Sequence, residues 1–176
     1  MRLLLVFCMI VLLCGCFGTD KKWDDWDLLI NAIEEGEASI CIKMNQSNMK
    51  DTCFQLTAQL LKNSSICLKI DDVWTEKLCE KAVARETKDL TQCEVFEDLV
   101  FKDFCLRDVI IELRNSQFCD KILDNSVRDD CYYAVGIDLN RSFVCDKIID
   151  KYRKYECYLK TGGEYKSSTT IVGNES

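Results

Sequence analysis

Apolar positions along this chain fall into blocks that return at a fixed interval and keep helical spacing within each block. The residues just before and three after alternate cysteines pair as Ile40/Met44, Ile66/Ile70, Gln92/Phe96, Phe118/Ile122 and Val144/Ile148. Such i, i+4 pairs mark one face of a short helix, and only Gln92 breaks the column. A polar turn follows, as in Asp124-Asn125-Ser126. Then comes a longer amphipathic stretch; in the second unit Trp74, Leu78, Cys79, Ala82 and Val83 share a face. Ser64, Ser116 and Ser142 stand at the start of the short helices, placed to cap them by accepting a backbone N–H bond. Each unit is therefore predicted to be a short helix, a turn and a longer helix. Proline is absent, which suits helices joined by short turns.

Ten cysteines, at 41, 53, 67, 79, 93, 105, 119, 131, 145 and 157, follow one another in steps that alternate 12 and 14, a period of 26 residues. Self-similarity at such a period is the signature of a repeat array. Five residues after each second cysteine stand Ala58, Ala84, Ile110, Gly136 and Gly162. Apart from Ile110 these are small, which predicts close approach of a neighbouring helix. Upstream, Trp23, Trp26, Ile30 and Ile33 recur at helical spacing and Gly36 marks a stop. Residues 27–32 align with 53–58 of the first unit, so 23–36 reads as the second half of a repeat without its cysteine, an atypical terminal cap. Trp23 and Trp26 are expected to pack on the first repeat rather than reach lipid headgroups. The expected fold is all-α: a right-handed-type solenoid of five stacked helical hairpins over 37–161, behind a capping helix at 23–36. Beyond Thr161 the pattern stops, and 162–176 is expected to be disordered.

Two cysteine pairings respect the period. Bonds across the 12-residue steps join the two helices of one hairpin and use all ten cysteines. Bonds across the 14-residue steps join consecutive units and strand Cys41 and Cys157. In the second scheme the sulfurs sit near opposite ends of the long helix, roughly 15 Å apart, too far for a disulfide whose Cα atoms lie about 4.4–6.8 Å apart. The expected bonds are Cys41–Cys53, Cys67–Cys79, Cys93–Cys105, Cys119–Cys131 and Cys145–Cys157.

The first segment gives the expected address. Arg2 precedes an apolar run of 11 residues, Leu3 to Leu13. That is short for a membrane span of about 20 residues and right for a secretory signal. It ends in Leu13-Cys14-Gly15-Cys16, which resembles the lipobox of prokaryotic lipoproteins, with Cys14 at a position where a small residue is usual. The resemblance implies a signal peptide at 1–15, a lipid on Cys16, a short tether over 16–22 and a location on the extracytoplasmic face of the cell membrane. The alternative is an ordinary signal or an uncleaved anchor helix. Of 13 cysteines, Cys8 and Cys14 would leave with the signal and Cys16 would carry lipid. Ten would remain, all in the repeats, an even number as a disulfide framework requires.

Charge and chemistry then narrow the function. The net charge of −7 disfavours nucleic acid as a partner. Histidine is absent, which removes the commonest general base and metal ligand. Cysteines spaced by 12 and 14 lack the close pairs of structural zinc sites and the C-x-x-C of thiol oxidoreductases. Neither metal nor cofactor is expected. The carboxylates Glu34-Glu35, Asp71-Asp72 and Asp129-Asp130 read as solvated helix faces. Sequons stand at Asn45, Asn63, Asn140 and Asn174 and matter only in a host that glycosylates exported proteins.

The hairpin array resembles tetratricopeptide-type α/α solenoids, and more closely their cysteine-rich secreted members, over about 41–161. The resemblance implies a binding or scaffolding surface rather than catalysis. The residue after each second cysteine varies, as Phe54, Glu80, Leu106, Tyr132 and Tyr158, as an exposed binding position would. Tyr132, Tyr133, Tyr152, Tyr155 and Tyr158 make the last two repeats aromatic-rich and the first place to look for a partner. The expected function is a membrane-tethered interaction module for an unidentified protein or envelope partner. The alternatives are a purely structural envelope spacer and, remotely, a hydrolase or thiol enzyme.

Overall fold

The computed structural model describes residues 24–165. The expected signal, Cys16, the tether, Trp23, Asn174 and the end of the chain lie outside the described residues. Helix α1 (Asp25–Glu35) is followed by five units, each a six-residue 3₁₀ helix and a long α-helix. The pairs are η1 (Ala38–Lys43) with α2 (Ser47–Leu61), η2 (Ser64–Lys69) with α3 (Val73–Thr87), η3 (Leu90–Val95) with α4 (Leu99–Leu113), η4 (Ser116–Lys121) with α5 (Asn125–Asp138), and η5 (Ser142–Lys147) with α6 (Lys151–Thr161). Each long helix packs on its own 3₁₀ helix, on the next one and on the next long helix. The architecture is the expected helical repeat solenoid.

The short helices are 3₁₀ because each ends within two turns. Its closing bond runs over three residues, from the N–H of Met44, Ile70, Phe96, Ile122 and Ile148 to the carbonyl of the preceding cysteine. The serines expected to cap them do not. The cap is one residue earlier: carboxylate or amide oxygens of Glu37, Asn63, Asp89 and Asn115 accept the N–H two residues on. That is the short reach of an Asx-type turn, after which the chain enters the tight helix directly. Asp72, Asp98, Asp124 and Asp150 cap the long helices, each accepting the N–H three residues on.

These caps make stability acid-sensitive. Hydrogen bonds from Ser39, Thr75 and Thr91 hold the carboxyls of Glu37, Asp72 and Asp89 below their ordinary values. A carboxyl whose folded pKa lies below its unfolded one contributes fully above the unfolded value and loses that contribution as pH falls through the folded one. The melting temperature is expected to stay level from pH 7 to about 5 and to drop below about pH 4, where free carboxyls titrate. Thermal melts across that range check it.

Helix ends repeat as well. Gly36, Lys62, Lys88, Arg114 and Asn140 all adopt positive φ, between 50° and 65°. A left-handed stop lets the chain reverse into the next 3₁₀ helix, but a Cβ is crowded there. Lys62→Gly and Lys88→Gly are each expected to raise stability by about 0.5–1 kcal/mol, the relief exceeding the extra chain entropy. Urea unfolding measures it. At Arg114 the same change would also remove the guanidinium's bonds to Asp138 of the next unit.

All ten repeat cysteines are fully buried and bonded as expected, with Cα atoms 5.6–5.8 Å apart. The small-residue column is buried too as far as Gly136; Gly162, with no unit beyond it, is exposed. A Cβ on Gly136 would lie 3.4 Å from Cys157 Sγ and 3.5 Å from Val144, so this column faces the next unit's disulfide and 3₁₀ helix. Ile110 fills the equivalent place, and eight residues on Phe118 is only half-buried where Val144 and Ile66 are buried. The larger residue takes space its neighbour would use. The core divides into two clusters that part within α3, Val83 belonging to one and Ala84 to the other. Gln92, the break in the apolar column, lies at this seam and turns its amide to Thr87 and Asp89.

Trp26 does not pack on the first repeat: it is 65 % exposed, on a flank of α1 that it shares with the exposed Ile30 and Ile33. At the other end, Tyr165 sits edge-on to Tyr155 and tilted against Tyr158, so the array is covered a few residues past Thr161.

Candidate functional site

A buried carboxylate joins successive units. Asp25, Asp51, Asp103 and Asp129 occupy the same register, two residues before the second-cysteine position, and all are buried. Asp103 accepts the backbone N–H of Leu123 (3.2 Å) and Asp124 (2.7 Å); Asp129 accepts those of Ile149 (2.9 Å) and Asp150 (2.8 Å). Asp25 does the same for Asn45 and Gln46 at 3.0 and 2.9 Å, which holds its carboxyl below the ordinary range. Each carboxylate thus spends both oxygens on the turn of the next unit, where charge-assisted bonds are strong. Asp51 is buried in the column without making these bonds, and its Oδ1 has no partner among the described residues. The expectation that Asp129 lies on a solvated face is corrected: the repeat period placed it at a junction, and burial follows from its two N–H partners. Its neighbour Asp130 pairs with Arg153, Asp72 is a cap, and Glu34, Glu35 and Asp71 are exposed.

Lys77 breaks the clamp. It holds the aspartate position between α3 and α4, and an ammonium cannot accept a hydrogen bond. The N–H groups of Glu97 and Asp98, which correspond to the clamped pairs, have no acceptor among the described residues. At this junction lies a groove of about 480 Å³, lined chiefly by Trp74, Lys77, Leu78, Val100, Phe101 and Phe104. Trp74 meets Phe101 edge-on at 5.3 Å, and Phe101 meets Phe96 at 5.0 Å. Lys81 at the rim pairs with Asp108 at 2.9 Å, and Asp98 is committed to the Phe101 N–H. Among the described residues Lys77 has no such counter-ion.

The rim is apolar and open. Val73, Trp74, Leu99 and Val100, the first two residues of α3 and α4, are each about 60 % exposed. The same positions read Ser47-Asn48 and Asn125-Ser126 in the first and fourth units. Apolar residues therefore stand at the exposed starts of the two helices that flank the missing clamp. A comparable groove of about 510 Å³ at the α5–α6 junction is polar instead, lined by Asn125, Ser126, Asp129, Asp150 and Arg153 beside Tyr152.

The five tyrosines expected to form a binding surface are not brought together. Tyr132 is buried and donates its hydroxyl to Asp120 at 2.5 Å; burial first, then this bond, pushes its pKa up. Tyr158 makes the equivalent bond to Asp146, which raises its hydroxyl to about 12. These bonds span the same 12 residues as the disulfides and run beside them. The residue after the second cysteine thus faces its own 3₁₀ helix, and Phe54 and Leu106 are buried at that position as well. Tyr133 is half-buried under the Arg153 guanidinium, 5.4 Å from its ring, not exposed. Only Tyr152 and Tyr155 are exposed, Tyr152 in the α5–α6 groove and Tyr155 against Tyr165. The α3–α4 groove was missed because its signals are deviations from the repeat: a lysine in an aspartate column and apolar residues where other units are polar.

These features define an α-helical repeat protein whose every unit is closed by its own disulfide and in which buried carboxylates tie three of the five junctions. Compared with known proteins, the chain matches no family model, no curated protein and no solved structure.

Proposed function

We propose that this protein is a membrane-tethered binding module that presents the α3–α4 groove to a partner. The observation that carries the reading is the groove: an aromatic floor, an exposed aliphatic rim and an ammonium without a counter-ion among the described residues, at the junction where lysine replaces the repeat's aspartate. Exposed aromatic and aliphatic residues around a few placed polar groups suit recognition. The surrounding staples fit a module that must stay folded outside the cytosol. Lipid attachment at Cys16, in a prokaryotic envelope, is part of the proposal and rests on the Leu13-Cys14-Gly15-Cys16 resemblance.

A photo-crosslinking residue at position 74, compared with one at 152, tests it in native membranes. The reading expects a discrete adduct from 74 and none from 152; equal labelling or none would overturn it. The mass of the peptide that begins at Cys16 tests the tether separately.

A further inference from the structure

We infer that the α3–α4 groove binds the C-terminal carboxylate of a peptide chain whose last side chain is bulky and apolar. This rests on the binding-module reading and names its ligand. The argument starts from the clamps. In three of the five junctions a carboxylate lies against two successive N–H groups of the next unit's turn and bonds both, and in a fourth Asp51 is buried at the same place without those bonds. At the α3–α4 junction the same turn carries the N–H groups of Glu97 and Asp98, but the chain supplies Lys77 in place of the carboxylate. The site therefore keeps the two donors of a carboxylate clamp and adds a cation, so the carboxylate it suits comes from outside the chain. Paired backbone donors with a neighbouring ammonium are a recurrent means of capturing a chain terminus.

The floor of the groove decides what that carboxylate is attached to. Trp74, Leu78, Phe101 and Phe104 give an apolar surface, and the volume of about 480 Å³ lies in the range of small-ligand sites. The exposed Val73 and Leu99 extend the apolar rim along both helix starts beyond the groove itself, so contact continues past a single side chain. A peptide ending in phenylalanine or leucine satisfies all three features: carboxylate on the N–H pair and Lys77, last side chain on the aromatic floor, preceding residues along the rim.

The test uses the full-length oxidised protein and the peptide acetyl-glycyl-seryl-leucyl-phenylalanine, with its C-terminal amide as control. In titrations followed by amide NMR, the free acid is expected to move the Glu97 and Asp98 N–H signals and the Trp74 indole, and to bind at least ~10-fold more tightly than the amide, the worth of a charge-assisted bond. Lys77→Asp installs an internal carboxylate; it is expected to raise the melting temperature and abolish binding. Lys77→Met keeps the N–H pair and is expected to weaken binding by about 5–10-fold without unfolding the array. Equal binding of acid and amide, or unchanged binding by Lys77→Asp with the other signals still moving, would overturn the assignment. Binding of 4-phenylbutyrate as tightly as the peptide would overturn the peptide part. If the peptide fails while the adduct from position 74 still forms, the carboxylate assignment falls and the binding-module reading stands.

Discussion

Replacing Cys93 and Cys105 together by alanine is expected to lower the stability of the array by about 3–4 kcal/mol. Closing a loop of this size removes about 3 kcal/mol of entropy from the unfolded chain, and both sulfurs are fully buried, so their loss also thins the core. This bond lies next to the seam where the two core clusters part. It also sits beside the α3–α4 junction, where lysine replaces the clamping aspartate. In a stacked array each unit is held only by its neighbours, so a central loss uncouples both halves. Removing Cys41 and Cys53 instead should fray one end and cost less. Guanidinium unfolding of the two double variants checks the order; a loss below about 1 kcal/mol for the central pair would show that stacking alone sustains the array. Because all ten bonded sulfurs are buried, reductant should act only through opening of a unit, and the five bonds should resist it under native conditions.

Asp129→Ala is the second large effect. The carboxylate is buried and accepts two backbone N–H groups of the next unit. Truncation leaves both donors short of a partner in a partly buried turn, a loss of about 2–4 kcal/mol. Asp130→Ala, one residue on, removes an ion pair with Arg153 in which both side chains are over 30 % exposed, and is expected to change stability by less than about 1 kcal/mol. The contrast between adjacent aspartates is the measurement. Equal losses would mean that the carboxylates matter through net charge rather than through the clamp. Asp129→Asn should fall between, since an amide presents one acceptor oxygen where the turn offers two donors.

The repeat unit was legible because its causes are local and recur. A 12-residue step between cysteines can be closed in a hairpin of two helices and not along a long helix, so the disulfide scheme followed from the spacing. The apolar pairs and the small-residue column followed in the same way, since helical period fixes which residues share a face. Other features depended on neighbours in space. Tyr132 and Asp129 both look like surface residues in a polar stretch, yet one lies beside a disulfide and the other under the next unit's turn. Before Ser64 and Ser116 the cap moved one residue upstream, to Asn63 and Asn115, a choice made by backbone geometry that composition does not reveal.

By itself, then, the sequence determined the stapled helical array: the number of units, their length, which cysteines bond and where the pattern ends. Those follow from covalent reach and helical period, which act over about a dozen residues. Only the tertiary structure decided which face of each long helix meets the next unit, and so which carboxylates are buried and which aromatics are exposed. It also gave Lys77 its meaning. In the sequence it is one charge among many. At the α3–α4 junction it stands where a carboxylate ties other units together, and the groove beside it is the most distinctive surface of the molecule.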